Sequence, residues 1–332
     1  MLVDCAHYVR GIRQDHGPTT LEGAAACPRR GGSFVWLELY EPGTAVMAEL
    51  RARFGLHELA VEDAARAHQR PKVEGYDDFY FLVFRTARVR AGQEEVEFGE
   101  VHVFLGPGYV IAVRHGDHGD LAGVRRRLEH RPGLLKSGPA AVVWGILDVV
   151  VDDYSPVVEE IENDIEAVEH RIFAEHADAT ERIHELKQEL NYLHRAVHPL
   201  LVPLEAMEHG AFAQMDPGLL RYFRDIADHL RYVHDEVLAR REQLNSAFEA
   251  NAALISVRQN EISVRQNETV KQLTIVATVF LPLSFVVGFF GQNFGWMVDH
   301  IDSLAAFLAL AIGSLVLSLA ALYAWFRRGG FA

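Results

Sequence analysis

The sequence predicts an α/β cytosolic domain, then a long α-helical stalk, then two C-terminal transmembrane helices. Three observations predict this. Two charge-free apolar runs stand near the C-terminus, and a stretch almost free of glycine and proline precedes them. The N-terminal residues instead mix aromatic and β-branched runs with segments of helical spacing.

The apolar runs are the clearest. No charged residue occurs between Lys271 and Asp299, and Leu273 to Phe290 reads LTIVATVFLPLSFVVGFF. The second run, Ser303 to Phe326, reads SLAAFLALAIGSLVLSLAALYAWF. Each matches the roughly 20 residues that a helix needs to cross a bilayer core. A short polar turn, Gly291-Gln292-Asn293-Phe294-Gly295-Trp296-Met297, followed by Val298 to Asp302, joins them. Such a loop holds no domain, so the runs form a helical hairpin with both ends on one side. Arg258, Arg265 and Lys271 precede the first run, Arg327 and Arg328 follow the second, and the loop has no Lys or Arg. Basic flanks stay inside, which puts both termini in the cytoplasm and the turn outside a cell (inner or plasma) membrane. Trp296 and Trp325 fit interfacial anchors.

Composition narrows the rest. Lys and Arg number 32 against 46 Asp and Glu, a net charge of −14, so nucleic acid is not an expected partner. Only Cys5 and Cys27 occur, which implies no disulfide framework. The N-terminus lacks the apolar core of a signal peptide. No phosphate-binding glycine loop, HExxH, GxSxG or CxxC appears, and no enzyme or catalytic cofactor is expected.

In order, residues 1–151 form the α/β domain. Strands are expected at Ser33–Leu39 and Asp77–Val89, with a hairpin over Glu100–Arg114 that turns at Gly106-Pro107-Gly108. Helical spacing marks Thr44–Phe54, Leu56–Ala67, Leu121–His130 and Ala140–Val151. Residues 152–215 read as an antiparallel acidic helix pair that breaks near His176–Thr180, with Pro199 and Pro203 ending the second helix. Asp216-Pro217 supplies a cap and a first-turn proline. No further Pro occurs before Pro282. One helix can therefore run from Pro217 to Gly291, about 75 residues or roughly 110 Å, with 216–270 as stalk and 271–291 as membrane helix. The loop is 292–303, the second membrane helix 304–326, and the cytosolic tail 327–332. Two copies of one heptad, Ile255–Glu261 and Ile262–Glu268, suggest a stripe turned toward a partner chain, as in a coiled coil.

Along the first apolar run Val270, Leu273, Ala277, Leu281, Ser284 and Gly288 recur at spacings of 3 or 4, and Asn293 extends this stripe into the turn. Identical chains around an axis would turn it into apolar rings, a hydroxyl ring at Ser284 and an amide ring at Asn293. Apolar rings can gate by dewetting, and amide oxygens can hold a cation through its water shell. Mg2+ dehydrates reluctantly, so a neutral amide ring suits it. Ordinary helix packing through small residues is the competing reading.

The hairpin LTIVATVFLPLSFVVGFFGQNFGWM resembles the CorA family of divalent-cation transporters, whose signature is Gly-Met-Asn at the end of the first membrane helix. QRPKVEGYDDFYFLVFRTA (Gln69–Ala87), VHVFLGPGYVIAVR, VVDDYSPVVEEIENDIEAVE and YFRDIADHL (Tyr222–Leu230) resemble family segments in the same order. The resemblance implies a funnel-shaped homopentamer embedded in lipid that passes Mg2+, Co2+ or Ni2+ down its gradient. It implies a selectivity turn at Gly291 and Asn293, a polar ring at Ser284, a small-residue ring at Gly288, and hydrophobic gates at Leu281, Leu273 and Val270. Two departures stand out. Gln292 replaces the signature Met, as the zinc-transporting ZntB branch also varies it, which makes Zn2+ the alternative cargo. The family's stalk carboxylate of the inter-subunit Mg2+ site falls near Ser256, so a regulatory metal would shift to Glu249 or Glu261 or be absent. A membrane-anchored cation sensor or scaffold that does not conduct is a further alternative.

Other features read more plainly. Asp299 and Asp302, with His300, can attract cations to the outer loop. Asp152, Asp153, Glu159, Glu160, Glu162, Asp164, Glu166 and Glu169 read as an exposed charged face. His194 and His198 are four apart on one helix, but no third ligand stands at diagnostic spacing, so they read as a solvated pair.

Overall fold

Alternating large apolar residues build one seven-stranded sheet in the computed structural model, which describes residues 1–328 except 30, 90–95, 117–120, 211, 213, 214, 293 and 302. The strands are β1 (Leu2–Val9), β2 (Ile12–Arg13), β3 (Ser33–Tyr40), β4 (Lys72–Gly75), β5 (Tyr80–Val89), β6 (Val96–Gly106) and β7 (Tyr109–His115). Their order is β2-β1-β3-β7-β6-β5-β4, and every neighbouring pair is antiparallel except β3 with β7. The expected strands and hairpin are present. At the hairpin turn Gly108 has φ +75°, a conformation that favours glycine, and a Cβ there would lie 2.5 Å from the Arg29 side chain.

Both sheet faces are covered. On one, Val35, Leu37, Leu39, Phe81, Val83, Phe104, Ile111 and Val113 pack with Met47, Leu50 and Phe54 of α2 (Thr44–Phe54) and Ala60 and Ala64 of α3 (Glu58–Ala65). The short α1 (Leu21–Ala26) adds Leu21 and Ala24. The other face meets α4 (Leu121–Glu129), α6 (Pro139–Asp152) and the helices that follow, while α5 (Pro132–Leu135) packs against α4 and α6. There the Arg125 guanidinium lies 4.0 Å from the centre of the buried Trp36 ring and donates to Tyr8 Oη at 3.2 Å.

Buried polar groups tie the loops down. Glu100 Oε2 accepts from the backbone N–H of His68 at 2.9 Å and of Gln69 at 3.1 Å, and lies 3.0 Å from His102 Nε2. The segment after α3 is thereby fastened to β6. Tyr154, wholly buried, donates to the Arg85 carbonyl and joins α7 (Tyr154–Phe173) to β5.

The helix pair is α7 with α8 (Thr180–Val197), and it buries Val157, Ile161, Ile165, Val168, Ile183, Leu186, Leu190 and Leu193. Pro199 lies in a 3-10 turn (His198–Leu200) directly after α8. Pro203 was expected to end this helix; it lies instead in the first turn of α9 (Leu201–Glu208), where its missing N–H has no helical acceptor to lose. Asp216 Oδ1 accepts from Gly218 N–H at 2.8 Å, and a 3-10 turn (Pro217–Leu219) opens the long helix. That helix, α10, then runs without a break over 71 residues, Leu220–Phe290. The chain divides into two compact units, Met1–Ala252 and Ala253–Ala332, and α10 belongs to both.

Within the first unit α10 buries Phe223, Ile226, Leu230, Val233, Val237 and Leu244. Arg240 pairs with Glu162 of α7 at 3.0 Å, and Glu208 of α9 binds Arg224 and Arg231 at 2.9 and 3.1 Å. Buried Asn251 is the last anchor. Its Oδ1 accepts from Ala179 N–H at 3.1 Å, and its Nδ2 donates to Thr180 Oγ1 at 2.9 Å and Asp178 Oδ1 at 3.2 Å. The bonds from Thr180, and then that from Asn251, lower the Asp178 pKa to about 2.

Asn251→Leu leaves the Ala179 N–H unpaired and is expected to lower stability by about 1–3 kcal/mol, read as a lower melting temperature of the full chain. Asp178 contributes stability fully above its ordinary value of 3.8, and that contribution disappears as pH falls through about 2. Melting temperature against pH should show this acid step in the native chain and not in Asp178→Asn.

Candidate functional site

The second unit contains the expected hairpin. Its first limb is the end of α10. Its second is one helical run, α12 (Leu304–Phe307), a π turn over Leu308–Ile312, and α13 (Gly313–Arg328). Ser303 caps this run by accepting from Ala306 N–H at 3.1 Å. Both limbs are long and apolar enough to cross a membrane, and their apolar windows are 0% and 6% buried within the chain. Apolar surface of this kind needs lipid or another chain around it.

The exposed surface is not uniform. Val270, Leu273, Ala277, Leu281, Ser284 and Gly288 are all exposed, and at 3.6 residues per turn they share one face of α10. Ile275, Thr278, Val279, Pro282, Val286 and Phe290 are half-buried and fall on the opposite face. Val270, Thr274, Ile275 and Thr278 line a groove with Trp325 and Phe326, and Phe289 and Phe290 line another with Phe294, Trp296 and Leu310. The half-buried row therefore faces the second limb, and the predicted stripe from Leu273 to Gly288 faces away from it, while Val270 lies beside the Trp325–Phe326 groove. Thr274 donates to the Val270 carbonyl at 2.8 Å, which satisfies its hydroxyl within the helix.

At the end of α10 Gly291 N–H donates to Val287 O at 3.0 Å and Gln292 N–H to Phe289 O at 3.4 Å. Gly291 and Gln292 are exposed; Asn293 and Asp302 lie outside the described residues. The stretch 292–303, expected as a loop, contains α11 (Gly295–His300), a correction to that reading. Within it the Trp296 and His300 rings stack at 4.4 Å, and His300 Nδ1 lies 2.9 Å from the Trp296 carbonyl. His300 thus packs locally, while Asp299 remains exposed.

Residues 31–328 match the family described as CorA-like Mg2+ transporter protein. The chain belongs to the CorA family. It is 31% identical over 309 residues to YfjQ of Bacillus subtilis, named as a metal ion transporter, with 90% of each chain covered. It is 29% identical over 258 residues to the cobalt/magnesium transport protein CorA of Thermotoga maritima, covering 77% of this chain and 72% of that one. Among solved structures, full-length CmaX superposes with a TM-score of 0.67 at 22% identity, covering 98% of this chain and 97% of that one. As a CorA-family member the chain is a membrane-bound divalent-cation transporter and not an enzyme.

The family's transport role also reframes the acids. Asp164 is held by Arg182 at 2.6 Å, Glu162 by Arg240 at 3.0 Å, and Glu169 Oε1 accepts from Gln243 at 3.4 Å. Three of the eight acids on this helix face therefore hold α8 and α10 in place. Ser256 and the candidate regulatory carboxylates Glu249 and Glu261 are exposed on α10. One grouping escaped the sequence: His234 of α10 meets His194 and His198, the only such cluster of three metal-ligating side chains among the described residues. Sequence separation hid it, because a ligand on another helix has no fixed spacing.

Proposed function

We propose that this transporter conducts Mg2+ through a homopentameric pore whose mouth is a ring of Asn293 amides, shaped by the Gly291-Gln292 turn. The observation that carries this reading is the exposed stripe on α10, opposite the face that meets the second limb. Five copies around an axis place Val270, Leu273, Ala277 and Leu281 as apolar constrictions, Ser284 as a hydroxyl ring and Gly288 as a wide point. Apolar rings empty of water block ions until they widen. Amide oxygens at the mouth hydrogen-bond the water shell of Mg2+, which keeps several waters because stripping them is costly. Co2+ and Ni2+ also form octahedral aqua ions and pass by the same route. Asp299 and Asp302 raise the local cation concentration outside the mouth.

In this arrangement residues 1–151, 152–215 and 216–270 lie in the cytoplasm, 271–291 lines the pore, 292–303 is the outer connection, and 304–326 faces lipid. The tail 327–332 returns to the cytoplasm, as the basic flanks require. Cytosolic Mg2+ held by Glu249 or Glu261 between neighbours would close the pore, in place of the carboxylate that Ser256 lacks. Zn2+ is the second reading of the cargo, favoured by Gln292: a second amide beside Asn293 changes the donors and acceptors that the incoming water shell meets.

A hydrogen bond to a charged partner is worth about 1.5–3 kcal/mol, so loss of the amide ring should cut flux by about tenfold or more. Asn293→Ala reconstituted in liposomes is expected to show that loss in Mg2+ uptake, and undiminished uptake would overturn the site. Competition separates the cargoes: Mg2+ uptake should resist equimolar Zn2+ and yield to Co2+, whereas dominance by Zn2+ would favour the second reading. In a Cys5→Ser, Cys27→Ser background, single cysteines at 273, 277, 281 and 284 should react with a charged thiol reagent and block flux. Cysteines at 275, 279 and 286 should not; equal reaction on both faces would remove the pore assignment.

A further inference from the structure

We infer that His194, His198 and His234 form a binding site for a transition-metal dication of the Zn2+, Co2+ or Ni2+ class, outside the apolar helices, that fastens the end of α8 to α10. The three imidazoles come from two segments distant in sequence. His194 and His198 are one helical turn apart at the end of α8 and the start of the 3-10 turn (His198–Leu200), where Pro199 restrains the backbone. His234 comes from α10. One ligand atom from each lies within 4.8 Å of the others.

The spacing fits a metal. Two nitrogens bound tetrahedrally at about 2.0–2.1 Å from Zn2+ stand about 3.3 Å apart. His198 Nδ1 and His234 Nε2 are 3.2 Å apart, already at that separation. The His194 and His198 rings stack with centroids 5.0 Å apart and 9° between planes, so the rings must turn out of this stack for their in-plane lone pairs to converge on one ion. His194 and His234 are half-buried and His198 is exposed, which leaves the fourth position to water.

The surroundings also orient one of the imidazoles. On the far side of the His234 ring Asp235 Oδ1 lies 3.5 Å from Nδ1. A carboxylate in that position orients a metal-bound imidazole and raises its basicity. Three nitrogen donors select a borderline cation over Mg2+, which demands oxygen ligands. The site therefore discriminates against the cargo that the amide mouth suits. It acts as a cytosolic sensor or staple for a different class of ion.

Co2+ titration of the full-length, metal-stripped protein in detergent tests this. The expected result is a visible tetrahedral absorption band, saturating at one ion per chain, together with a higher melting temperature in Zn2+ and no such rise in Mg2+. His198→Ala, at an exposed position, should lose the band, and its binding should weaken at least as much as the roughly tenfold to hundredfold cost of losing an outer partner. His234→Gln checks the same from α10, with the metal-free melting temperature reporting whether the fold survives. Asn293→Ala should keep the band, which separates this site from any ion at the pore. If the native chain shows no band, or if it persists unchanged in both histidine variants, the contact is a hydrogen bond between neutral rings and the inference fails.

Discussion

Hydrocarbon offers no partner for a backbone N–H or C=O, and that constraint governs the whole chain. From Lys271 onward the sequence has no charged residue to draw in water until Asp299, so the peptide groups of the apolar run up to Phe290 must bond within their own helix. Helical continuity follows directly: α10 passes from the polar, anchored part of the chain into the apolar part without a loop. Pro282 is the one interior breach, and it removes a single donor in a helix that is otherwise intact. One continuous helix thus belongs both to the unit that contains the sheet and to the unit that carries the stripe.

Continuity in turn demands anchorage. A 71-residue helix held only at its apolar end would leave its polar stretch free to swing, and the first unit prevents this with distinct devices spread along it. Glu208 grips Arg224 and Arg231 near the start, Arg240 reaches Glu162 of α7, and Asn251 closes the α7–α8 loop onto the helix. Partly buried pairs such as Arg240 with Glu162 resist salt better than exposed ones, and buried Asn251 has every side-chain group engaged or within reach of a partner. Beyond Asn251 the character changes. Both copies of the Ile-Ser-Val-Arg-Gln-Asn-Glu heptad are largely exposed, as expected of a surface that awaits a neighbouring chain.

What was legible in the sequence divides along physical lines. Strong periodicity was readable: the apolar helices, the α7–α8 pair, the hairpin at Gly106-Pro107-Gly108 and the uninterrupted α10 all follow from spacing and from where Gly and Pro fall. Weak local signals were not. β1 mixes Asp4, Cys5 and His7 with its apolar residues, β2 and β4 are very short, and α11 is a six-residue helix with no side-chain cap. Contacts between distant segments were invisible by nature, since nothing local to Glu100 announces that it will hold His68 and Gln69, nor does His234 announce its two partners. In the candidate site the stripe was legible because it repeats; its exposure was not, because exposure depends on which face the second limb covers.

The two cation-binding chemistries proposed for this chain follow from different donor atoms. Amide oxygens, as proposed for the pore mouth, are hard, neutral and able to bond water, so they reward an ion that keeps its hydration shell. Imidazole nitrogens are softer and replace water outright, so they reward an ion that surrenders it. A transporter for hydrated cations gains nothing from imidazoles along its path, where tight direct ligation would trap the ion and slow its exit. Placed instead between α8 and the anchored part of α10, the same imidazoles bear on the helix that continues into the apolar segment. A borderline cation bound there would stiffen the attachment of that helix without competing for the cargo, so under this proposal transport and sensing would answer to different ions.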